Sequence, residues 1–266
     1  MPDAPVVFAV AAHPDDIEFM MVGTMLRLKE RGWDLHYLNI ANGSCGTATE
    51  LKEAIIARRR GESIDACELI GATYHESLCD DLDVYHTTEI VSRVVSAVRT
   101  ARPRIMLLPS PQDYMEDHMN ASRVAVTAAF ARGMRNYACT PDVAPTTDDV
   151  TLYHALPYGL HGPMRERIHP GQYVDIGPTI QTKRDMLARH RSQKEWLDTS
   201  QGLDAYLDTM EGFARDVGKM SGAFEFAEGW RRRSHLGFTG EDTDPLTDAL
   251  GDAALVDPDY ERALQV

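Results

Sequence analysis

Two short blocks, each placed directly after an apolar run, hold the residues with the most chemical potential. The first reads Ala12-His13-Pro14-Asp15-Asp16, and the second Gln112-Asp113-Tyr114-Met115-Glu116-Asp117-His118. Imidazole nitrogens and carboxylate oxygens are the donors that a zinc-like cation accepts, and three protein ligands leave a position open for water or substrate. His13 and Asp16 are three apart across a turn, a spacing that can aim both at one cation while Asp15 remains a spare carboxylate. His118 can complete a His-Asp-His set. The plainer alternative in each block is a helix cap by an aspartate with an uninvolved histidine nearby. On the first block alone the two readings stand even, and the second block tips the balance to the metal.

The elements that must position these residues follow from periodicity. Val6-Val7-Phe8-Ala9-Val10-Ala11 is a continuous apolar run after a proline, as expected of a strand buried on both faces. Phe19, Val22, Met25, Leu26 and Leu28 then recur at helical spacing until Gly32. Further strand-like runs fall at 35–41, 72–76, 105–109 and 151–156, with helix-like stretches near 48–70, 87–101 and 118–138. Helical periodicity returns from Pro178 to about Gly218, with a break near Gly202. This alternation predicts an α/β fold: a Rossmann-like, doubly wound, mainly parallel sheet with a helical C-terminal portion. In such sheets ligands bind beyond the carboxyl ends of the strands, which is where both blocks lie.

At about 150 residues per domain, 266 residues with 43% apolar content suffice for a folded core, and one domain over 1–238 is expected. Residues 239–266 hold eight acidic residues and one arginine and read as an acidic tail. The net charge of −14 repels nucleic acid and anionic membrane surfaces. No run of eighteen apolar residues and no secretory signal is present, so a cytoplasmic protein is expected. Cys45, Cys67, Cys79 and Cys139 lack the spacing of a thiolate metal site and read as reduced thiols.

Ala-His-Pro-Asp-Asp after the first strand and Tyr-x-x-Asp-His after a later one resemble the zinc-dependent de-N-acetylases, the PIG-L or LmbE-like family. The resemblance extends to Arg58-x-x-x-Glu62, Leu78-Cys79-Asp80, Lys183, His190-Arg191-Ser192-Gln193 and Phe226-Ala227-Glu228-Gly229-Trp230, and spans roughly residues 5–230. It implies a Rossmann-like hydrolase that removes the acetyl group of an N-acetylated amino sugar, a small-molecule substrate, with one zinc ion per chain. His13, Asp16 and His118 then match the zinc ligands, Asp15 the general base, and Asp117 the acidic residue beside the third ligand. Arg58 and Asp80 match positions that hold sugar hydroxyls. Family members are often homo-oligomers, so a homo-oligomer is expected here too.

The chemistry is coherent in its own right. An amide is a poor electrophile, and a zinc ion with three protein ligands makes water nucleophilic at neutral pH while polarising the carbonyl. Asp15 would take the proton. One position departs from the family: Met115 stands where many relatives carry a histidine, and a thioether donates no hydrogen bond. Tyr114, His154, Tyr158, His161 and His190 are the candidates to supply that donor, with His190 foremost. Tyr114 and His161 are also assigned to substrate binding, the latter in a Gly159–Pro163 segment read as a pocket rim. The Trp230-Arg231-Arg232-Arg233 run reads as an exposed basic surface. Two other functions share the ligand recipe: a non-haem Fe(II) oxygenase, against which the strand–helix alternation argues, and a metal-binding protein without hydrolytic activity.

Overall fold

The computed structural model describes residues 4–195 and 205–265. One eight-stranded sheet runs through it. Five strands form a parallel half in the order β3-β2-β1-β4-β5: β1 (Val6–Ala11), β2 (Asp34–Asn39), β3 (Thr73–His75), β4 (Ile105–Leu108) and β5 (Thr151–Ala155). The helices between them are α1 (Asp16–Met20), α2 (Val22–Lys29), α3 (Lys52–Ile70), α4 (Thr88–Ala101) and α5 (Glu116–Ala131). The expected α/β class and its doubly wound half are therefore present. Every residue of β1 after Val6 is buried, because helices cover both sheet faces. Val7, Ala9 and Ala11 face one core, shared with α2 and α3, while Phe8 and Val10 face the other, shared with α4 and α5.

The sheet does not end at β5, as the periodicity alone had suggested. Three antiparallel strands extend it: β6 (Gln172–Asp175), β7 (Ala227–Arg232) and β8 (Ala254–Val256), in the order β5-β7-β6-β8. β6 and β8 are short, and β7 carries Glu228 near its start and two arginines at its end, so local pattern does not mark them as strands. Trp230 is fully buried there, and Arg231 and Arg232 are half-buried, the former bonded to Gln112 Oε1 at 2.7 Å. Trp230, Arg231 and Arg232 thus belong to a sheet strand instead of an exposed basic surface, and Arg233, just past its end, is exposed. The acidic segment folds onto the body over its described residues, 239–265, because Leu246 and Leu250 enter the core beneath the sheet and β8 closes its edge. Asp244 accepts a 2.6 Å hydrogen bond from Tyr153.

The periodic stretch from Phe19 is split at Met21 into α1 and α2. That from Pro178 is split into α6 (Ile180–Leu187), a helical turn at 191–195 and α7 (Ala205–Ser221); the break read at Gly202 lies outside the described residues. The Lys183 and Phe226–Trp230 motifs acquire a structural role. Glu228 of β7 accepts from the backbone N–H groups of Gly23 (2.8 Å) and Thr24 (2.7 Å), so it caps α2 from across the fold. Lys183 of α6 neutralises it at 2.5 Å, with both side chains buried, and Trp230 Nε1 donates to Thr24 Oγ1 at 2.9 Å. Similarly, Glu62 accepts from the backbone N–H and hydroxyl of Ser192, tying α3 to the 191–195 turn.

Removing one partner of a buried pair leaves an uncompensated charge. Glu228→Ala should cost about 3–5 kcal/mol, read as a lowered urea midpoint at unchanged slope. A midpoint within experimental error of the parent protein would show that the pair does not hold α2.

Candidate metal centre

β1 and β4 are neighbours, and the chain leaves them towards helices placed on opposite faces, so a crevice opens between their carboxyl ends. His13 leaves β1, and His118 lies in the first turn of α5, after β4. Among the described residues, His13, Asp16 and His118 form a group whose donor atoms all lie within 4.8 Å of one another. Asp16 stands between the histidines, with Oδ2 at 3.5 Å from His13 Nδ1 and Oδ1 at 3.4 Å from His118 Nε2. It also accepts from the His13 backbone N–H at 2.8 Å, which fixes the turn.

Each imidazole is held from behind. Asp117 Oδ2 lies 3.0 Å from His13 Nε2 and also accepts from the Leu82 N–H at 2.7 Å. Asp113 Oδ1 lies 3.1 Å from His118 Nδ1 and accepts from the Met115 N–H at 3.0 Å. The free nitrogens, His13 Nδ1 and His118 Nε2, therefore face Asp16. Asp117 thus stands behind the first ligand, and Asp113 does that service for the third. Such carboxylate–imidazole pairs orient ligands and raise their basicity.

The charges here are unbalanced in favour of a cation. Burial alone would lower the His13 pKa, but hydrogen bonds to Asp117 and Asp16 outweigh it and push it up to about 10. Burial likewise opposes protonation of His118, while Asp16 and Asp113 raise its pKa. Asp16, despite its burial, is held below the usual carboxylate range by His118 and His13. Two imidazoles and a carboxylate that converge with ordered supports suit zinc, whose common donors these are.

Asp15 lies beside this group with its backbone at φ 109°, in the left-handed region that a non-glycine residue rarely adopts. Its Oδ2 accepts from the Tyr206 hydroxyl at 2.6 Å, and the Arg59 guanidinium is 3.8 Å away. Desolvation raises its pKa to about 6 against the lowering effect of Arg59.

A cavity of about 770 Å³ opens over these residues, lined among others by Phe19, Cys45, Gly46, Arg59, Asp81, Tyr114, Met115, Tyr158, His161 and Tyr206. Tyr114 and His161 stand on this wall, Tyr114 with 61% exposure. Met115 also lines the cavity, and among the donor candidates Tyr114, Tyr158 and His161 share it. His154 and His190 do not: His154 is buried against Pro109 O and Ser122, and His190, fully buried, sits 3.1 Å from Glu18.

Arg58 and Asp80 lie outside the cavity lining. Arg58 is paired with Glu50, Glu62 and Glu195, and Asp80 with Lys52 and Asn42. Their neighbours take the inner places. Arg59 is 2% exposed, donates to Pro14 O at 2.6 Å, and has no partner for its Nε among the described residues. Asp81 accepts from the Gly43 and Cys45 N–H groups. The loop fits around Arg59 through glycine: a Cβ at Gly43 (φ +79°) or Gly46 would fall 2.5 or 2.1 Å from that side chain.

Arg59, Asp113, Asp81 and Tyr206 were not singled out from sequence. A signal existed for Arg59: it shares a helical stripe with Ile55, Glu62, Ser63, Ala66 and Ile70, all buried. None existed for Tyr206, which is 191 residues away from Asp15.

An α/β protein with a His-Asp-His centre at a topological switch point is the class that fold and site define. Residues 8–129, which carry both ligand blocks, match the PIG-L family, described as GlcNAc-PI de-N-acetylase. A diacetylchitobiose deacetylase of Thermococcus kodakarensis is 29% identical over 235 residues, 86% of this chain and 83% of the relative. In fold the chain resembles N,N'-diacetylchitobiose deacetylase from Pyrococcus horikoshii (TM-score 0.71, 22% identity, 92% of this chain and 89% of that one). It equally resembles GalB, the 4-carboxy-2-hydroxymuconate hydratase from Pseudomonas putida KT2440 (TM-score 0.71, 18% identity, 90% and 98%). The fold thus serves more than one reaction, and function rests on the site.

If Asp113 and Asp117 orient the ligands, Asp113→Asn and Asp117→Asn should each weaken zinc affinity by about 10–100-fold. Competition with a chromophoric chelator measures this. Affinities equal to that of the unaltered protein would exclude the supporting role.

Proposed function

We propose that this protein is a zinc-dependent N-deacetylase that hydrolyses the acetamide of an N-acetylated amino sugar or a related conjugate. The observation that carries the reading is the buried His13-Asp16-His118 group with Asp15 beside it, on the wall of a cavity of sugar-conjugate size. The family match and the deacetylase relative support the same chemistry.

His13, Asp16 and His118 would hold the ion, and zinc there would supply Lewis acidity, activating water and polarising the amide carbonyl. Asp15 accepts the proton of the attacking water on the oxygen that Tyr206 leaves free, and returns it to the departing amine. A carboxyl raised to about 6 is ionised at neutral pH yet close enough to carry a proton, and such positioned help is worth about 10²–10⁴-fold. Tyr206 and Arg59 fix its direction. Arg59 also lines the cavity, where the sequence reading had placed Arg58. Tyr114, Tyr158 and Phe19 offer apolar faces to the substrate body.

Met115 favours one competing reading, a metal-binding protein without hydrolysis, since its thioether donates no hydrogen bond into the cavity it lines. Acetate release from a panel of N-acetylated amino sugars separates the two. The zinc-loaded protein should release acetate; Asp15→Asn should retain zinc and lose at least about 10²-fold in kcat; His118→Ala should lose zinc. Zinc binding without acetate release from any substrate would select the non-hydrolytic reading.

A further inference from the structure

We propose that a small apolar chamber beside the His13-Asp16-His118 group is the acyl pocket of this site, and that it limits the released acyl group to two or three carbons. The proposal rests on the deacetylase reading above. The chamber has a volume of about 30 Å³ and shares Asp16, Phe19, His118 and Tyr158 with the large cavity, so the two meet at two of the three ligand side chains. Met20, Met21, Ala155 and Leu156 supply its apolar walls.

Its polar wall groups are already engaged. Asp113 is bonded to His118 and to the Met115 and Tyr158 N–H groups, and the Ser110 hydroxyl donates to Gln112 O. An occupant therefore finds apolar surface and few free donors or acceptors.

The carbonyl carbon of an amide carries two substituents. With the carbonyl at the ligand group, the bulky amine side fits only the 770 Å³ cavity, and the acyl tail takes the adjoining small space. In hydrolysis water adds its oxygen to the carbonyl carbon, the C–N bond breaks, and the amine nitrogen takes a proton. A carboxylate is left with its tail in the chamber. By the measure in which about 10–15 Å³ holds one water-sized group, 30 Å³ holds about two. Acetyl and propionyl fit, whereas butyryl does not.

Met20 lines the chamber together with Phe19 and Leu156. Beyond it a second void of about 10 Å³ shares Phe19, Met20 and Leu156 with the chamber and reaches Lys183 and Glu228. Shortening Met20 would join the two spaces.

The test compares glucosamine N-acylated with acetyl, propionyl or butyryl groups as substrates of the zinc-loaded protein. Acetate, propionate and butyrate are measured in parallel as ligands by calorimetry. The unaltered protein should hydrolyse the acetyl and propionyl amides, with kcat/KM for butyryl lower by about tenfold or more. Met20→Ala should raise the butyryl-to-acetyl ratio at least tenfold, and Ala155→Val should lower the propionyl-to-acetyl ratio. Carboxylate affinities should follow the same order. Hydrolysis with a flat chain-length profile, or a profile that neither variant changes, would overturn the chamber and leave the deacetylase standing. Absence of hydrolysis, with acetate preferred over butyrate until Met20 is shortened, would uphold the chamber and sink the deacetylase reading.

Discussion

The site exists because β1 and β4 pair in parallel. Val7 opposite Ile105 sets the register, and the two chains then leave the sheet at one end, delivering His13 and His118 to the same crevice from 105 positions apart. Parallel pairing demands helices on both faces, and those helices make β1 uniformly apolar. The same helices supply α1 and α5, whose first turns carry Asp16 and His118. A slip of one residue in β1 would exchange its two core faces and turn the ligand block away from its partner.

Around that crevice carboxylates outnumber the cations able to answer them. Asp15, Asp16, Asp113 and Asp117 gather about two imidazoles and one guanidinium. In a low-dielectric setting such crowding is tolerated where each oxygen has a donor, and nearly every contact here is of that kind. The arrangement separates two carboxyls of adjacent sequence position into opposite behaviour: Asp16 stays strongly acidic between the histidines, and Asp15, turned into a drier place by its left-handed backbone, does not. Adjacent positions can hold such different carboxyls when the backbone turns left-handed there.

Much of this was legible in the sequence, for a physical reason. Imidazole and carboxylate donors just past an uninterrupted apolar run form a local pattern, and both β1 and the convergence of His13, Asp16 and His118 could be read from it. The supports were not, because they depend on tertiary approach. Asp113 lies inside the second block, but nothing in its spacing says that its carboxylate faces His118 instead of solvent. Arg58 and Arg59 differ by about 100° around α3, and the helical phase set by Ile55, Ala66 and Ile70 puts Arg59 inward. A triplet of arginines hides that phase from a motif comparison. The antiparallel strands escaped because β8 has three residues and β7 ends in arginines, so burial came from neighbours that no local pattern announces.

The ion pair between Lys183 and Glu228 bears on how this chain is divided. The match to the PIG-L family model covers residues 8–129 and ends close to the end of α5, although similarity to the deacetylase relative runs over 235 residues. The hydrogen bonds are drawn otherwise. The second helix after the first ligand block, α2, begins on amides whose acceptor arrives about two hundred residues later, from a strand in the second half. The surroundings of the His13-Asp16-His118 group, although that group is encoded early, thus depend on residues from the last quarter of the chain: Glu228 at the start of α2 and Tyr206 on Asp15.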